Sequence, residues 1–402
     1  MSPQFRPHFR NKSQFSRKPY SHRSQTPRKS FAKGNFDISH FVNKAVVVQA
    51  PKPFTPVHTF AEFVLDPRLH KNITDKGYTT PTPVQDEAIP QALLGRDVVG
   101  IANTGTGKTG AFLIPLVNKV LKGKGERVLI MVPTRELALQ IHEELKVFAK
   151  GLGIHGTVCV GGANINLQMR ELARRPAFVI GTPGRLKDLL LRRALVLSDF
   201  HTAVLDEADR MLDMGFIADM RRILALLPTP RHTLFFSATL GPEIEKLIGE
   251  FLHQAVRVKV ATGQTAASIE QDIVRVPQGG DKLDVLSELL RKQGFEKVLV
   301  FGRTKHGVER LSKNLVARGF RAESIHGNKT QGKRQKALDL FKRDHVRILC
   351  ATDVAARGLD INGVSHVINY DLPSTHDDYI HRIGRTGRAG KAGKALTFIE
   401  SH

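Results

Sequence analysis

An apolar run, Asp97-Val-Val-Gly-Ile-Ala102, feeds directly into Asn103-Thr-Gly-Thr-Gly-Lys-Thr109, after which a helical pattern begins. This succession constrains the fold more than any other feature of the chain. A glycine-rich turn between a strand and a helix lets backbone amides face an anion at the helix N-terminus. Such a unit belongs to a parallel sheet covered by helices. The same alternation continues in Arg127-Val-Leu-Ile-Met-Val132, Thr157 to Val160, Phe178-Val-Ile180, Thr202-Ala-Val-Leu205 and Thr233-Leu-Phe-Phe236. Short apolar runs separated by helical patterns are the signature of strands buried on both faces.

A second series follows in Lys297-Val-Leu-Val-Phe301, a helix near Lys305 to Ala317, Arg347 to Thr352, His366-Val-Ile-Asn369 and Ala395-Leu-Thr-Phe398. Between the two series, Ala261-Thr-Gly-Gln-Thr-Ala-Ala-Ser268 is small, polar and aperiodic, as a flexible linker is. The chain of 402 residues has room for two domains and an appendage. The expected organisation is an arm at 1–36, a first α/β domain at 37–260, a linker at 261–270 and a second α/β domain at 271–402.

Residues 1–36 hold nine Lys or Arg and no Asp or Glu, with many Ser and Pro and few branched apolar residues. They cannot bury enough surface to offset the entropy of ordering, so a disordered basic arm is expected. The remaining chain also carries more cations than anions, within a net charge of +23. Such an excess favours a polyanionic partner through counterion release. Pro3, Pro7, Pro19 and Pro27 interrupt any amphipathic transit helix at the start. No apolar run is long enough to span a bilayer, so no membrane partner is expected. Cys159 and Cys350 each lie in an apolar run, read as core thiols in a reducing compartment, and a cytoplasmic location is expected.

Three clusters carry chemistry. In Thr104-Gly-Thr-Gly-Lys-Thr109, Gly105 and Gly107 permit the phosphate-cradling turn, Lys108 reaches the β and γ phosphates, and the Thr109 hydroxyl binds Mg²⁺. Ala102 stands where the strict pattern has Gly. Asp206-Glu-Ala-Asp209 ends an apolar strand, the edge where α/β folds bind ligands. Asp206 would hold the Mg²⁺, and Glu207 would orient and deprotonate an attacking water. His381-Arg-Ile-Gly-Arg-Thr-Gly-Arg388 concentrates arginines as fingers for charge developing on a γ-phosphoryl group.

With these three motifs in hand, the chain from about residue 58 resembles the DEAD-box family of RNA helicases. Further matches, in the family's order, are Phe60 with Gly77-Tyr78 and Gln85, Pro133-Thr-Arg-Glu-Leu137, Gly161-Gly162, Thr182-Pro-Gly-Arg185, Ser237-Ala-Thr239, Val300 through Thr304, Gln331 with Arg334, and Ala356-Arg-Gly-Leu-Asp360. The resemblance implies two RecA-like domains and a set of roles. Phe60 stacks on adenine and Gln85 reads its edge, so ATP is the nucleotide, bound with Thr104, Gly105, Thr106, Gly107, Lys108, Thr109 and, at the ribose, Asp360. Pro133, Thr134, Arg135, Gly162, Thr182 and Arg185 are the implied RNA contacts of the first domain. Arg303, Thr304, Gly327, Gln331, Arg334, Thr352, Asp353 and Arg357 are those of the second. Ser237 and Thr239, with Asp209 and His381, couple ATP state to closure, and Arg385 and Arg388 are the fingers.

Contacts of this kind address phosphates and 2′-hydroxyls, so RNA is favoured over DNA with little sequence preference. The expected activity is RNA-stimulated ATP hydrolysis, with ATP and Mg²⁺, coupled to local unwinding of a short duplex or to remodelling of RNA–protein complexes. The alternative is an ATP-gated RNA clamp that barely unwinds. The expected partners are single-stranded or short duplex RNA and ribosomal or messenger-particle proteins, met by a monomer. The basic arm should add salt-dependent RNA affinity.

Overall fold

A computed structural model of the chain describes residues 54–103, 105–123, 125–260, 269–356, 361, 363–387 and 393–400. The arm assigned to 1–36 and the linker stretch 261–268 lie outside the described residues, as do Thr104, Arg357, Asp360 and Arg388.

The first domain begins with a 3-10 turn at Phe60–Glu62, α1 (Pro67–Asp75) and α2 (Pro83–Leu93). It continues through β1 (Val98–Ile101), α3 (Lys108–Lys122), β2 (Val128–Met131), α4 (Arg135–Phe148), β3 (Gly156–Cys159), α5 (Ile165–Ala173), β4 (Phe178–Gly181) and α6 (Pro183–Leu191). It closes with β5 (Thr202–Leu205), α7 (Ala208–Asp213), α8 (Ile217–Ala225), β6 (His232–Ser237), α9 (Pro242–Phe251) and β7 (Val256–Lys259). The strands form a parallel sheet in the order β3-β4-β2-β5-β6-β1-β7.

The second domain runs β8 (Ile269–Val276), α10 (Lys282–Arg291), β9 (Val298–Phe301), α11 (Lys305–Ala317), β10 (Ala322–Ile325), α12 (Gln331–Lys342), β11 (Ile348–Ala351), α13 (Asp353–Ala356), β12 (His366–Asn369), α14 (His376–Ile383) and β13 (Gly393–Glu400). Its sheet has the order β10-β11-β9-β12-β13-β8 and is again parallel.

The pleat sorts each strand between two cores. Val128 and Ile130 of β2 enter the core on one face of the first sheet, and Leu129 and Met131 enter the core on the other. In β9, Val298 and Val300 face one way and Leu299 and Phe301 the other. Apolar side chains on both faces give the unbroken runs seen in the sequence. Cys159 and Cys350 are buried and unpaired, as core thiols should be.

The second domain starts earlier than expected. Ile269 and Glu270, assigned to the linker, pair with Gly393 and Lys394 as the first residues of β8. The alternating Ile269-Glu-Gln-Asp-Ile-Val-Arg-Val276 hides a strand whose partner lies at the far end of the domain. Among the described residues no helix is long and apolar enough to cross a membrane.

Candidate nucleotide and RNA sites

The order of the first sheet decides what meets at its carboxyl edge. β5, β6 and β1 are neighbours, and the loops that follow them carry Asp206–Asp209, Ser237–Thr239 and the glycine-rich turn. β2, β4 and β3 are also neighbours, and they are followed by Pro133–Arg135, Thr182–Arg185 and Gly161–Gly162. The phosphate cluster and the residues expected at RNA therefore occupy two halves of one rim.

Gly105 and Gly107 adopt φ of 86° and 97°, left-handed values open to glycine at little steric cost. A Cβ at Gly107 would also lie 2.7 Å from Thr82 Oγ1 and 2.8 Å from Gln85 Nε2. Gln85 sits at the start of α2, buried, with Oε1 accepting the Thr82 amide at 3.0 Å and Nε2 donating to Gly107 O at 3.0 Å. The side chain expected to read adenine thus also buttresses the phosphate loop. Phe60 is buried against Phe63, edge to face, and against Tyr78.

Lys108 donates to Ala102 O at 3.0 Å, and its ammonium lies 3.8 Å from Asp206 Oδ1, with both residues almost wholly buried. Thr106 Oγ1 donates to Asn103 O at 2.8 Å and pins the turn. Burial pushes the Asp206 carboxyl up from its ordinary value, against the pull of Lys108. Burial also acts on Glu207, but Arg210, Lys108 and Arg385 outweigh it and hold that carboxyl below its ordinary value. Arg210 Nη1 donates to Glu207 Oε2 at 2.6 Å, and both side chains are buried.

Glu207 has φ 53° and ψ 49°, a left-handed backbone in a residue with a Cβ. Such conformations cost of order 1–3 kcal/mol and persist where the surroundings fix them. Here the Glu207 amide donates to Asp206 Oδ1 at 2.9 Å and the carboxylate is clamped by Arg210. Asp209 staples the next loop: its Oδ2 accepts from the Ala238 and Thr239 amides at 3.1 and 3.0 Å and from Thr239 Oγ1 at 3.1 Å. Ser237 Oγ donates to Thr239 O at 2.7 Å, and the Asp209 amide donates to Ser237 Oγ at 3.3 Å.

On the other half of the rim, Thr134 caps α4, its hydroxyl accepting the Leu137 amide at 3.3 Å. Gly162, at φ 75°, leaves room for the Arg135 guanidinium, with which any Cβ there would collide. Arg185 is held by Gln168 Oε1 at 2.9 Å and Ala163 O at 3.3 Å, and Thr182 occupies the cap of α6.

In the second sheet, β10, β11 and β9 lie side by side and are followed by Gly327, by Thr352-Asp353 and by Arg303-Thr304. Thr304 caps α11 by accepting the Gly307 amide at 3.0 Å, and Gln331 opens α12. The Asp353 carboxylate is occupied by Arg382, at 2.5 Å from Nε and 2.8 Å from Nη2. Arg382 also donates to Asp371 O at 2.6 Å and Asn369 Oδ1 at 3.3 Å. Arg385, buried on the turn after α14, donates its Nε to His381 O at 3.2 Å. Its pull on Glu207 brings it electrostatically to the first domain's carboxylates.

Three side chains that pair with candidate site residues were not singled out in the sequence: Arg210, Arg382 and Glu136, the last ion-paired with Arg334. All three stood inside or beside quoted motifs: Arg210 just after Asp206–Asp209, Arg382 within His381–Arg388 and Glu136 within Pro133–Leu137.

Comparison with known proteins identifies the family. The family model for the DEAD/DEAH box helicase matches residues 82–247, and that for the helicase conserved C-terminal domain matches residues 281–390. The chain is 48% identical over 344 residues to an ATP-dependent RNA helicase CshA of Listeria monocytogenes, a match covering 85% of this chain and 66% of that protein. It is 46% identical over 343 residues to the protein of that name in Limosilactobacillus reuteri, covering 85% and 69%. Among solved structures, the DEAD-box helicase Mss116 bound to single-stranded RNA and UDP-BeF is similar, with a TM-score of 0.78 at 33% identity over 85% of this chain and 74% of that one. With family models matching in both domains and a 46% identical relative covered to 69% of its length, the chain belongs to the DEAD-box family of ATP-dependent RNA helicases.

Proposed function

We propose that the chain hydrolyses ATP in response to bound RNA and uses the cycle to open short duplexes or remodel RNA–protein contacts. The observation that carries this reading is the setting of Glu207, held in a left-handed turn by Arg210, beside Lys108 and Asp206, with Arg385 of the second domain acting on it.

Each group has a task in phosphoryl transfer, where positioning and charge stabilisation dominate. Lys108 draws the terminal phosphates to the turn. The Glu207 carboxylate orients a water and takes its proton as the water oxygen bonds to the γ-phosphorus and the bond to the β–γ bridging oxygen breaks. Arg385 offsets charge on the transferring group, with Arg388 proposed beside it. Thr109 and Asp206 are hard oxygen donors and fit Mg²⁺, which holds one or two protein oxygens and leaves other positions to phosphate and water. Bound there, the ion would neutralise charge on the phosphate oxygens.

Arg135, Arg185, Arg303 and Arg334, with Pro133, Thr134, Gly162, Thr182, Thr304, Gly327, Gln331, Thr352, Asp353 and Arg357, form the proposed path of the RNA backbone. The staple between Asp209 and Ser237–Thr239 is assigned, together with His381, the relay of nucleotide state to that path. One chain supplies every group named, so a monomer suffices.

The test is ATP hydrolysis without nucleic acid, with single-stranded RNA and with DNA of equal length, for the wild type and for Glu207→Gln. Stimulation by RNA alone, abolished in the variant, is the expected result. Equal stimulation by DNA, or turnover that survives in the variant, overturns the reading.

A further inference from the structure

A carboxylate that none of these roles uses sits behind the loop carrying Gly327. Glu309, on α11, reaches the end of β10, where its Oε2 accepts from Ser324 Oγ at 2.5 Å and lies 3.1 Å from His326 Nε2 and 3.7 Å from Lys329 Nζ. Its Oε1 lies 3.4 Å from Lys313 Nζ on the same helix. The other ring nitrogen, His326 Nδ1, accepts the Asn328 amide at 3.3 Å. A neutral imidazole that accepts at Nδ1 carries its proton on Nε2, so the ring donates to Glu309.

The turn is fixed from further sides. The Lys329 amide donates to His326 O at 3.1 Å, Lys329 Nζ donates to Glu323 Oε2 at 3.1 Å, and Lys305 Nζ donates to Asn328 Oδ1 at 2.9 Å. Ser324 and His326 are buried, whereas Gly327 and Asn328 are exposed. Gly327 is not among the positive-φ glycines, and a Cβ built on it meets nothing within 4 Å. The fold itself makes no demand for glycine there. A bare, exposed peptide on a braced turn suits close approach of another backbone.

We propose that Glu309 is a positioning residue for RNA: through His326 it holds the Gly327-Asn328 peptide in the orientation in which the second domain meets the sugar-phosphate backbone. The proposal rests on the reading of Gly327 as an RNA contact. Fixing the turn in advance removes an ordering cost that binding would otherwise carry. Electrostatics alone gives the opposite expectation, because a carboxylate near phosphates repels them, and deleting it should tighten RNA binding. The two effects differ in sign, so one measurement separates them.

The RNA concentration for half-maximal ATPase, the turnover at saturating RNA and the KM for ATP are measured for the wild type, Glu309→Ala, Glu309→Gln, His326→Ala and the Glu309→Ala/His326→Ala double variant. Glu309→Ala and His326→Ala should each raise the half-saturating RNA concentration about fivefold or more, with saturated turnover and the KM for ATP within about twofold of wild type. Glu309→Gln, which keeps one acceptor, should rise less than Glu309→Ala. The double variant should be no worse than the worse single one, because both act through one turn. An unchanged or lowered half-saturating concentration overturns the proposal, as does full additivity.

Amide hydrogen exchange at 327–329 reads the positioning without RNA. It should quicken in Glu309→Ala while α12 stays protected, and unchanged exchange overturns the proposal. A wild type whose ATPase ignores RNA would sink the proposed function instead, and the exchange result would still decide whether Glu309 fixes the turn.

Discussion

Arg334 Nη2, on α12 of the second domain, lies 2.8 Å from Glu136 Oε1, on α4 of the first. Both side chains are largely buried, and the pair joins the two domains through one residue of the proposed RNA path and a neighbour of another. Arg135 also feels Arg334: burial lowers its pKa first, and the like charge of Arg334 lowers it further against the pull of Glu136. Glu136 is therefore the anion that lets two arginines from different domains stand close together.

Removing that anion should loosen the domains and weaken RNA binding. Removing one partner of a buried ion pair costs about 3–5 kcal/mol, so Glu136→Gln should raise the RNA concentration for half-maximal ATPase about tenfold or more. Arg334→Gln should do the same, and the double variant should fall well short of the sum. Additive single effects would show that the pair does not couple.

Gly107 is hemmed in on two counts, its φ and its nearness to the Gln85 amide. Gly107→Ala should abolish binding of a fluorescent ATP analogue, by about 50-fold or more, while leaving the unfolding midpoint close to wild type. Gln85→Ala removes the buttress but not the φ requirement, so adding it to Gly107→Ala should restore little affinity. Substantial recovery in the double variant would place the whole effect in the collision.

Asp209 offers one oxygen to three donors in Ser237–Thr239. Asp209→Ala should free that loop without touching the phosphate turn. RNA-saturated turnover should fall by about 100-fold, with the KM for ATP within about threefold of wild type, as steady-state kinetics would read it. A KM that rises in step with the loss of turnover would assign Asp209 to nucleotide binding instead.

His366 lies under the Phe295 ring, with centroids 3.9 Å apart, and burial holds its imidazole down at about 4. In the unfolded chain the ring titrates near its ordinary value of about 6.5. Between those values the unfolded state binds more protons, so this residue costs stability as pH falls from about 6.5 toward 4. Urea unfolding at about pH 7 and pH 5 should show a larger loss for the wild type than for His366→Gln. Equal losses would mean that the ring is protonated within the fold.

The strands that the sequence left unread share a place. Val256–Lys259, Ile269–Val276 and Ala322–Ile325 all lie at sheet edges, whereas Val98–Ile101, Val128–Met131 and Thr202–Leu205 lie inside. An interior parallel strand is apolar on both faces and announces itself as a run; an edge strand that carries Arg257, Asp272 or Glu323 does not, whereas the edge strand Gly156–Cys159 has no charged residue and was legible. The phosphate turn and Asp206-Glu207 were legible because their chemistry depends on neighbours in the chain. The partners of Glu207, Asp353 and Arg334 were not all so close. Arg210 is three residues from Glu207, but Arg382 and Glu136 reach their partners through the fold, and no spacing rule connects them.

The Asp206 amide donates to Met131 O at 3.0 Å, a ladder bond between β5 and β2. Strand neighbours are about 4.8 Å apart, so the boundary between the two halves of the rim is a single peptide-to-peptide step. Two residues beyond Met131 stands Pro133, and one beyond Asp206 stands Glu207. The proposed hydrolytic centre and the proposed RNA path, abutting in this way, share a wall. Neither could be swapped for another module, or spread apart by a strand inserted at that seam, without altering the geometry of its neighbour.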